Sequence, residues 1–172
     1  LAAGDTVVAK PPEWAPLTAS LLADITAEAG MPPGVFNVVQ GFGEEAGAAL
    51  TAHPDLSRIS FTGSVPTAKL VAKAAAENLV PCSFELGGKS PLIITDDADL
   101  DIAVTVAVEQ YDNAGQVCLS GTRFLVQRGI ADKFKAAFIE RAKLIKQGDP
   151  RDEATDIGPQ IHPEHFARVK GF

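Results

Sequence analysis

The sequence predicts an α/β fold with a mostly parallel sheet. Three observations predict it. Short apolar runs alternate with longer amphipathic stretches along the chain, the pattern of strands joined by right-handed helical crossovers. Gly, Pro, Asn and Asp punctuate the joints between them. The alternation restarts after Gly87-Gly88, so the chain reads as two parts, 1–86 and 87–172.

Residues 6–9 (Thr-Val-Val-Ala) read as a buried strand, broken by Lys10-Pro11-Pro12-Glu13. Pro16 opens a helix that carries Leu17, Leu21, Leu22 and Ile25 on one face, and Gly30 stops it. A strand over 35–39 leads into a helix over 43–50, then a strand over 58–61 and a helix over 67–77. Residues 83–85 form a short fourth strand. In the second part, 91–95 is a strand, and Asp99 caps a helix reaching about Tyr111, with Leu100, Ala103, Val104, Ala107 and Val108 as its apolar stripe. A strand over 123–127 and a long helix over 130–146 follow. The stretch 149–172 begins with loop-like Gly-Asp-Pro and Ile-Gly-Pro segments.

The chain of 172 residues has room for one domain or two incomplete ones. Its 46% hydrophobic and 22% charged content is that of a soluble globular protein able to bury a core. A net charge of −7 disfavours a nucleic-acid surface. No apolar run approaches the roughly 18–20 residues that a membrane helix needs. Leu1 opens directly into a strand-like run without a charged leader, so the beginning reads as a cut rather than a natural start. Two cysteines, Cys82 and Cys118, are too few for a secreted disulfide scaffold and fit a reducing, cytoplasmic compartment. Cys82 reads as a buried thiol.

Cys118 lies in a turn of small residues between a helix and a strand. A lone cysteine is more often a small buried hydrophobe, and a nucleophilic one needs a lowered pKa or a nearby base. Glu85 ends an apolar run beside two glycines. It reads either as a strand-end carboxylate at a hinge or as a general base. Lys10 and Glu13 are, from spacing alone, a charged surface turn. Gly41-Phe42-Gly43-Glu44-Glu45-Ala46 fits the dinucleotide fingerprint between strand and helix, but the acidic residue expected about 20 positions on is missing from 58–62. Phe61-Thr62-Gly63-Ser64 runs from a strand end into a helix start, which suits either a phosphate or a plain Ser cap. His162 and His165 lack a metal-ligand set of recognised spacing, and Asp96, Asp97, Asp99 and Asp101 mark a loop and helix start rather than a calcium loop, so no metal is expected.

Phe84-Glu85-Leu86-Gly87-Gly88-Lys89-Ser90-Pro91 followed by Asn113-Ala114-Gly115-Gln116-Val117-Cys118 resembles the aldehyde dehydrogenase superfamily. The likeness runs the length of the chain but covers only the middle of those longer proteins. It implies that 1–86 is most of a Rossmann-like NAD domain and 87–172 the first part of a catalytic domain, with the active site in the crevice between them. It implies Cys118 as the thiol that attacks an aldehyde and Glu85 as the base that activates the hydrolytic water. It implies cofactor contacts at Lys10, Glu13, Gly43, Glu45, Gly63, Ser64, Leu86 and Gly87. A carboxylate at Glu13 would accept from ribose hydroxyls and repel a 2′-phosphate, so NAD is expected in preference to NADP.

The chain also departs from the family pattern. Ala68 stands where a glycine is usual, Glu45 where a smaller polar residue is common, and Asp112 where an apolar or aromatic residue is frequent. The family's oxyanion-donating Asn would fall before Leu1, and Asn113 does not replace it. The expected reaction is NAD(P)-dependent oxidation of a small aldehyde to a carboxylic acid, by a full-length protein that is a homo-oligomer. Three alternatives stand beside it: a fragment that keeps the fold without turnover, an NAD-binding module, and a thiol hydrolase. The last would need a His base that no motif here supplies.

Overall fold

The computed structural model describes every residue, Leu1–Phe172, and the chain divides into two compact units, Leu1–Phe84 and Glu85–Phe172. No helix is long and apolar enough to cross a membrane.

In the first unit β1 (Val7–Ala9) pairs in parallel with β2 (Phe36–Val38), Val8 opposite Asn37. Parallel neighbours need a crossover, and α1 (Leu17–Glu28) supplies it. Pro16 stands at its N-cap, and Gly30, at φ +83°, turns the chain away at the other end. The expected stripe of Leu17, Leu21, Leu22 and Ile25 forms, but the chain does not bury it. Those side chains are 79%, 57%, 48% and 49% exposed.

The helix expected over 43–50 opens instead as one wide π-type turn, Gly43–Gly47, before the short α2 (Ala48–Thr51). The N–H groups of Glu45 and Gly47 converge on the Phe42 carbonyl at 3.3 and 3.2 Å, which widens the first turn. β3 (Ile59–Gly63) is the hydrogen-bonded neighbour of β4 (Cys82–Leu86), a strand that runs across the division at Phe84, and α3 (Val65–Glu77) joins them. Ser64 caps α3, its Oγ accepting the Thr67 N–H at 3.3 Å. Pro66 sits in the first turn, where its missing N–H leaves nothing unpaired. Ile59, Val71, Ala75 and Val80 form the core of this unit, with Leu56, Phe61, Cys82 and Phe84 packed against it.

In the second unit β5 (Pro91–Ile94) pairs in parallel with β6 (Arg123–Val126), Ile93 opposite Leu125. The crossover is α4 (Leu100–Glu109), capped as expected: Asp99 Oδ1 accepts the N–H groups of Asp101 and Ile102, both at 3.0 Å. α5 (Ala131–Ala142) lies against α4, and Arg141 pairs with Asp101 at 2.7 Å while donating to Thr105 Oγ1 at 3.2 Å. Ile94, Val104, Ala107, Ile130 and Phe134 are the buried core. Phe124, Phe134 and Phe138 pack as a triad with centroids 5.4–6.2 Å apart.

Two expectations change here. The helix over 130–146 ends at Ala142. Beyond it, Asp156 Oδ2 accepts the Lys146 N–H at 2.9 Å, and the Lys146 carbonyl accepts from Asp156 and Ile157, so tertiary pairing takes the backbone that a helix would have used. The stretch 149–172 also holds a helix that the sequence reading did not place, α6 (Pro163–Lys170). His162 caps it by accepting the Glu164 N–H on Nδ1 at 3.2 Å. Between them, the Arg151 guanidinium grips Asp149 at 2.6 and 3.0 Å and, with the Arg151 backbone N–H, holds that exposed carboxyl below its usual range.

Phe134 is 4% exposed at the centre of the triad. Phe134→Ala is expected to destabilise the second unit by about 3–5 kcal/mol, read as a lower urea midpoint for that unit.

Candidate active site and cofactor loops

In a parallel sheet the chain leaves each strand at its C-terminal edge and returns at its N-terminal edge. Three loops of the first unit lie just past the C-terminal ends of their strands, where open α/β sheets bind ligands. These are Lys10–Glu13 after β1, 41–46 after β2, and Gly63-Ser64 at the end of β3.

The first two loops meet at Lys10. Its half-buried ammonium donates to the Pro11 carbonyl at 2.8 Å and the Gly41 carbonyl at 2.9 Å, and lies 3.6 Å from Glu13 Oε2. Glu13 keeps 39% of its side chain in solvent, so it can still accept further hydrogen bonds. Gly41 is at φ +144°, and a Cβ there would stand 2.7 Å from the Ala46 Cβ. The first and last positions of the fingerprint are therefore in mutual contact. Gly43 has open space around it, and Glu45 is exposed in the π-type turn. Gly63 and Ser64 are exposed at the start of α3, the positive end of its dipole, although Pro66 brings no N–H and the Thr67 N–H is taken by Ser64. The Ser64 hydroxyl is engaged with the Thr67 backbone and, at 2.9 Å, with Thr67 Oγ1.

The thiol of the second unit lies at the opposite kind of edge. Cys118 precedes β6 and Gly88 precedes β5, so parallel pairing brings both to the N-terminal ends of the strands. They touch there: the Cys118 carbonyl oxygen is 3.3 Å from where a Cβ on Gly88 would be. Arg123 fastens the same edge, its Nε donating to the Lys89 carbonyl at 2.7 Å and its backbone N–H to Ser90 at 3.3 Å. Glu85 and Gly87 are exposed and Leu86 is half-buried. Glu85 and Cys118 make no hydrogen bond to each other. Lys89 reaches only the neighbouring Gly88 carbonyl, at 3.3 Å.

Cys118 is exposed. It follows a tight turn, Asp112–Gly115, in which Asn113, Ala114 and Gly115 are all left-handed, at φ +52°, +58° and +73°. Two of the three are not glycine, and a non-glycine residue in this region costs on the order of 1–3 kcal/mol. Side-chain amides hold the segment. Asn113 Nδ2 donates to the Gln116 carbonyl at 3.3 Å, and Gln116 Nε2 to the Asn113 carbonyl at 2.8 Å. Gln110 Oε1 accepts the Gly121 N–H at 2.6 Å. Gln160 Nε2 donates to the Ala114 carbonyl at 2.8 Å, and Gln116 Oε1 accepts the Ile161 N–H at 3.0 Å. The sequence reading gave none of these three glutamines a role, and Gln116 entered it only as part of the motif before Cys118. Glutamine in a loop carries no distinctive spacing, and the decisive partners lie up to 46 residues away.

Glycine-bearing loops at strand ends and a solvent-facing thiol just past a strained turn together define a thiol-bearing α/β protein. Comparison with known proteins then places it: residues 1–172 match the profile of the aldehyde dehydrogenase family, and the chain belongs to that family. It is 49% identical to betaine aldehyde dehydrogenase 2 of Rhizobium meliloti (strain 1021), over all of this chain and 36% of that protein. Among solved structures, HpcC from Thermus thermophilus superposes with a TM-score of 0.93 at 50% identity, over 98% of this chain and 33% of that one. Betaine aldehyde dehydrogenase from Staphylococcus aureus in complex with NAD+ does so with a TM-score of 0.93 at 43% identity, over 99% and 34%. A 3,6-anhydro-L-galactose dehydrogenase in complex with NAP superposes equally well, at 37% identity. The chain spans about a third of the length of these relatives.

Gly41→Ala would force a Cβ into Ala46 in a backbone region that alanine rarely adopts. It is expected to destabilise the first unit by about 1–3 kcal/mol, seen as a lower midpoint in chemical denaturation with the second unit unchanged.

Proposed function

We propose that the protein oxidises an aldehyde to a carboxylic acid with NAD as the hydride acceptor, through a covalent intermediate on Cys118. The observation that carries this reading is the exposed thiol of Cys118, whose backbone lies beside Gly88, three residues after Glu85, at the N-terminal edge of the β5–β6 pair. The Cys118 sulfur adds to the aldehyde carbon and the carbonyl oxygen takes up a proton, giving a thiohemiacetal. Loss of a hydride and a proton from that adduct leaves a thioester on Cys118. Glu85 then takes a proton from a water molecule, which attacks the thioester carbon. The carbon–sulfur bond breaks, releasing the acid and returning the thiol.

The residues present fit the cofactor. Glu13 is partly exposed beside Lys10 and can accept from ribose hydroxyls, while its charge opposes a 2′-phosphate. Gly43 has open space around it, Glu45 is exposed, Gly63 and Ser64 lie exposed at the start of α3, and Leu86 and Gly87 border the nicotinamide in this reading. NAD, when bound, supplies the hydride acceptor. The preference for NAD over NADP rests on Glu13, since solved relatives hold NAD+ in one case and NAP in another.

Asp112 is exposed at the head of the thiol turn. A polar or charged aldehyde suits it better than a purely aliphatic one, and betaine aldehyde belongs in the first panel because relatives carry that name. A second reading draws on length alone: because the chain spans a third of its relatives, residues 1–172 would bind NAD without turning over aldehydes by themselves.

The test is aldehyde-dependent NADH formation by the intact protein that carries residues 1–172, run over aliphatic, aromatic, semialdehyde and betaine-type substrates. Cys118→Ala is expected to lower the rate by about 1,000-fold or more with NAD affinity nearly unchanged, and Glu85→Gln by about 100-fold. Full activity in Cys118→Ala would sink the proposal.

A further inference from the structure

We propose that Gln160 is a positioning residue for the Cys118 thiol: its amide holds Ala114 in the left-handed conformation from which the thiol turn is built. The inference rests on the reading of Cys118 as the nucleophile.

Three consecutive left-handed residues, two of them non-glycine, persist only where the surroundings impose them. The contacts inside the segment account for part of the constraint: Asn113 and Gln116 bridge each other across the turn. Neither engages Ala114. The one side chain that binds the Ala114 carbonyl is Gln160, from 46 residues away, at 2.8 Å. A carbonyl only accepts, so the nitrogen end of the amide must face it.

The other end of the same side chain adds no second tether. Gln160 Oε1 is buried and has no hydrogen-bond partner. A buried acceptor without a partner is unfavourable. The one hydrogen bond that this side-chain amide makes is the contact on Ala114. Next to it, the Ile161 N–H donates to Gln116 Oε1 at 3.0 Å. Residues 160 and 161 thus grip the turn at two successive points, immediately before Val117–Ser120. There the Ser120 N–H donates to the Val117 carbonyl at 3.2 Å, leaving Cys118 as the first of the two residues inside that loop. Ala114 stands four positions before Cys118, so the path on which the chain leaves it bears on where the sulfur is carried.

A purely structural role and a positioning role through Ala114 make different predictions. If Gln160 acts by imposing the left-handed conformation, a glycine at 114, which adopts it freely, makes Gln160 dispensable. The readout is the rate of alkylation of Cys118 by iodoacetamide across pH in the chain of residues 1–172, with each cysteine followed separately by peptide mass. It requires neither aldehyde nor cofactor. Gln160→Met keeps the length of the side chain and removes the donor. It is expected to change the Cys118 rate by about threefold or more and to move the midpoint of its pH profile, with Cys82 as the unchanged internal reference. In the Ala114→Gly background the same substitution is expected to change the Cys118 rate by less than about twofold. Should Gln160→Met fail to fold, Gln160→Glu, which also lacks the donor at neutral pH, carries the same expectation. The proposal is overturned if Cys118 reacts at the wild-type rate and pH profile in the donor-less variant, or if the change persists undiminished in the Ala114→Gly background. An intact protein that oxidises no aldehyde would defeat the proposed function while leaving this result standing.

Discussion

Parallel pairing of β5 with β6 is the constraint on which the thiol site depends. Two parallel strands cannot be joined by a tight turn, so the chain must travel back along α4 before it can enter β6. The returning segment necessarily arrives at the N-terminal edge, and the segment leading into β5 starts there too. Cys118 and Gly88 are separated by 30 positions in the numbering yet touch because the topology leaves them no other place. Arg123 reinforces the same edge by bonding backward to Lys89 and Ser90. The three loops of the first unit obey the complementary rule and sit past the C-terminal ends of their strands. Glycine-bearing loops thus follow the strands in the first unit, and the thiol precedes a strand in the second.

Much of the fold was legible in the sequence because its signals are local. Val7–Ala9, Pro91–Ile94 and Arg123–Val126 are apolar runs bounded by breakers, and Ser64 and Asp99 stand where their side chains can reach the first free N–H groups of a helix. What escaped was settled at a distance. The end of α5 at Ala142 depends on Asp156 and Ile157 claiming Lys146, which no periodicity reveals. The widening of the turn at Gly43–Gly47 is a difference of one hydrogen-bond register. α6 had a signal, a Pro just inside its start and Phe166 and Val169 three apart, but His162 was weighed only as a metal ligand, and set aside, without being considered as a cap.

The site shows the same division. Cys118, Glu85 and the glycines stood out because their residue types are rare in those settings, and the family's words surround them. Lys10 was named for a role toward ribose, yet its strongest visible bonds are to carbonyls, including one 31 residues away. Its ion pair with the partly exposed Glu13 is worth little by itself. Its geometric effect is larger, since one ammonium holds two loops in fixed register. The roles of the glutamines around the thiol turn were hidden for the opposite reason. Their residue type is ordinary, and only the partner each one finds makes it specific.

The two buried clusters share no residue, one gathering Ile59, Val71, Ala75 and Val80 and the other Ile94, Val104, Ala107, Ile130 and Phe134. Amide hydrogens gain their slowest exchange from the core that encloses them. Native-state exchange would therefore sort this chain into two protection classes, divided at Phe84 and not spread as a single gradient. α1, with its leucines in solvent, would join the fast end of the first class. Each unit would then open and reclose on its own timescale.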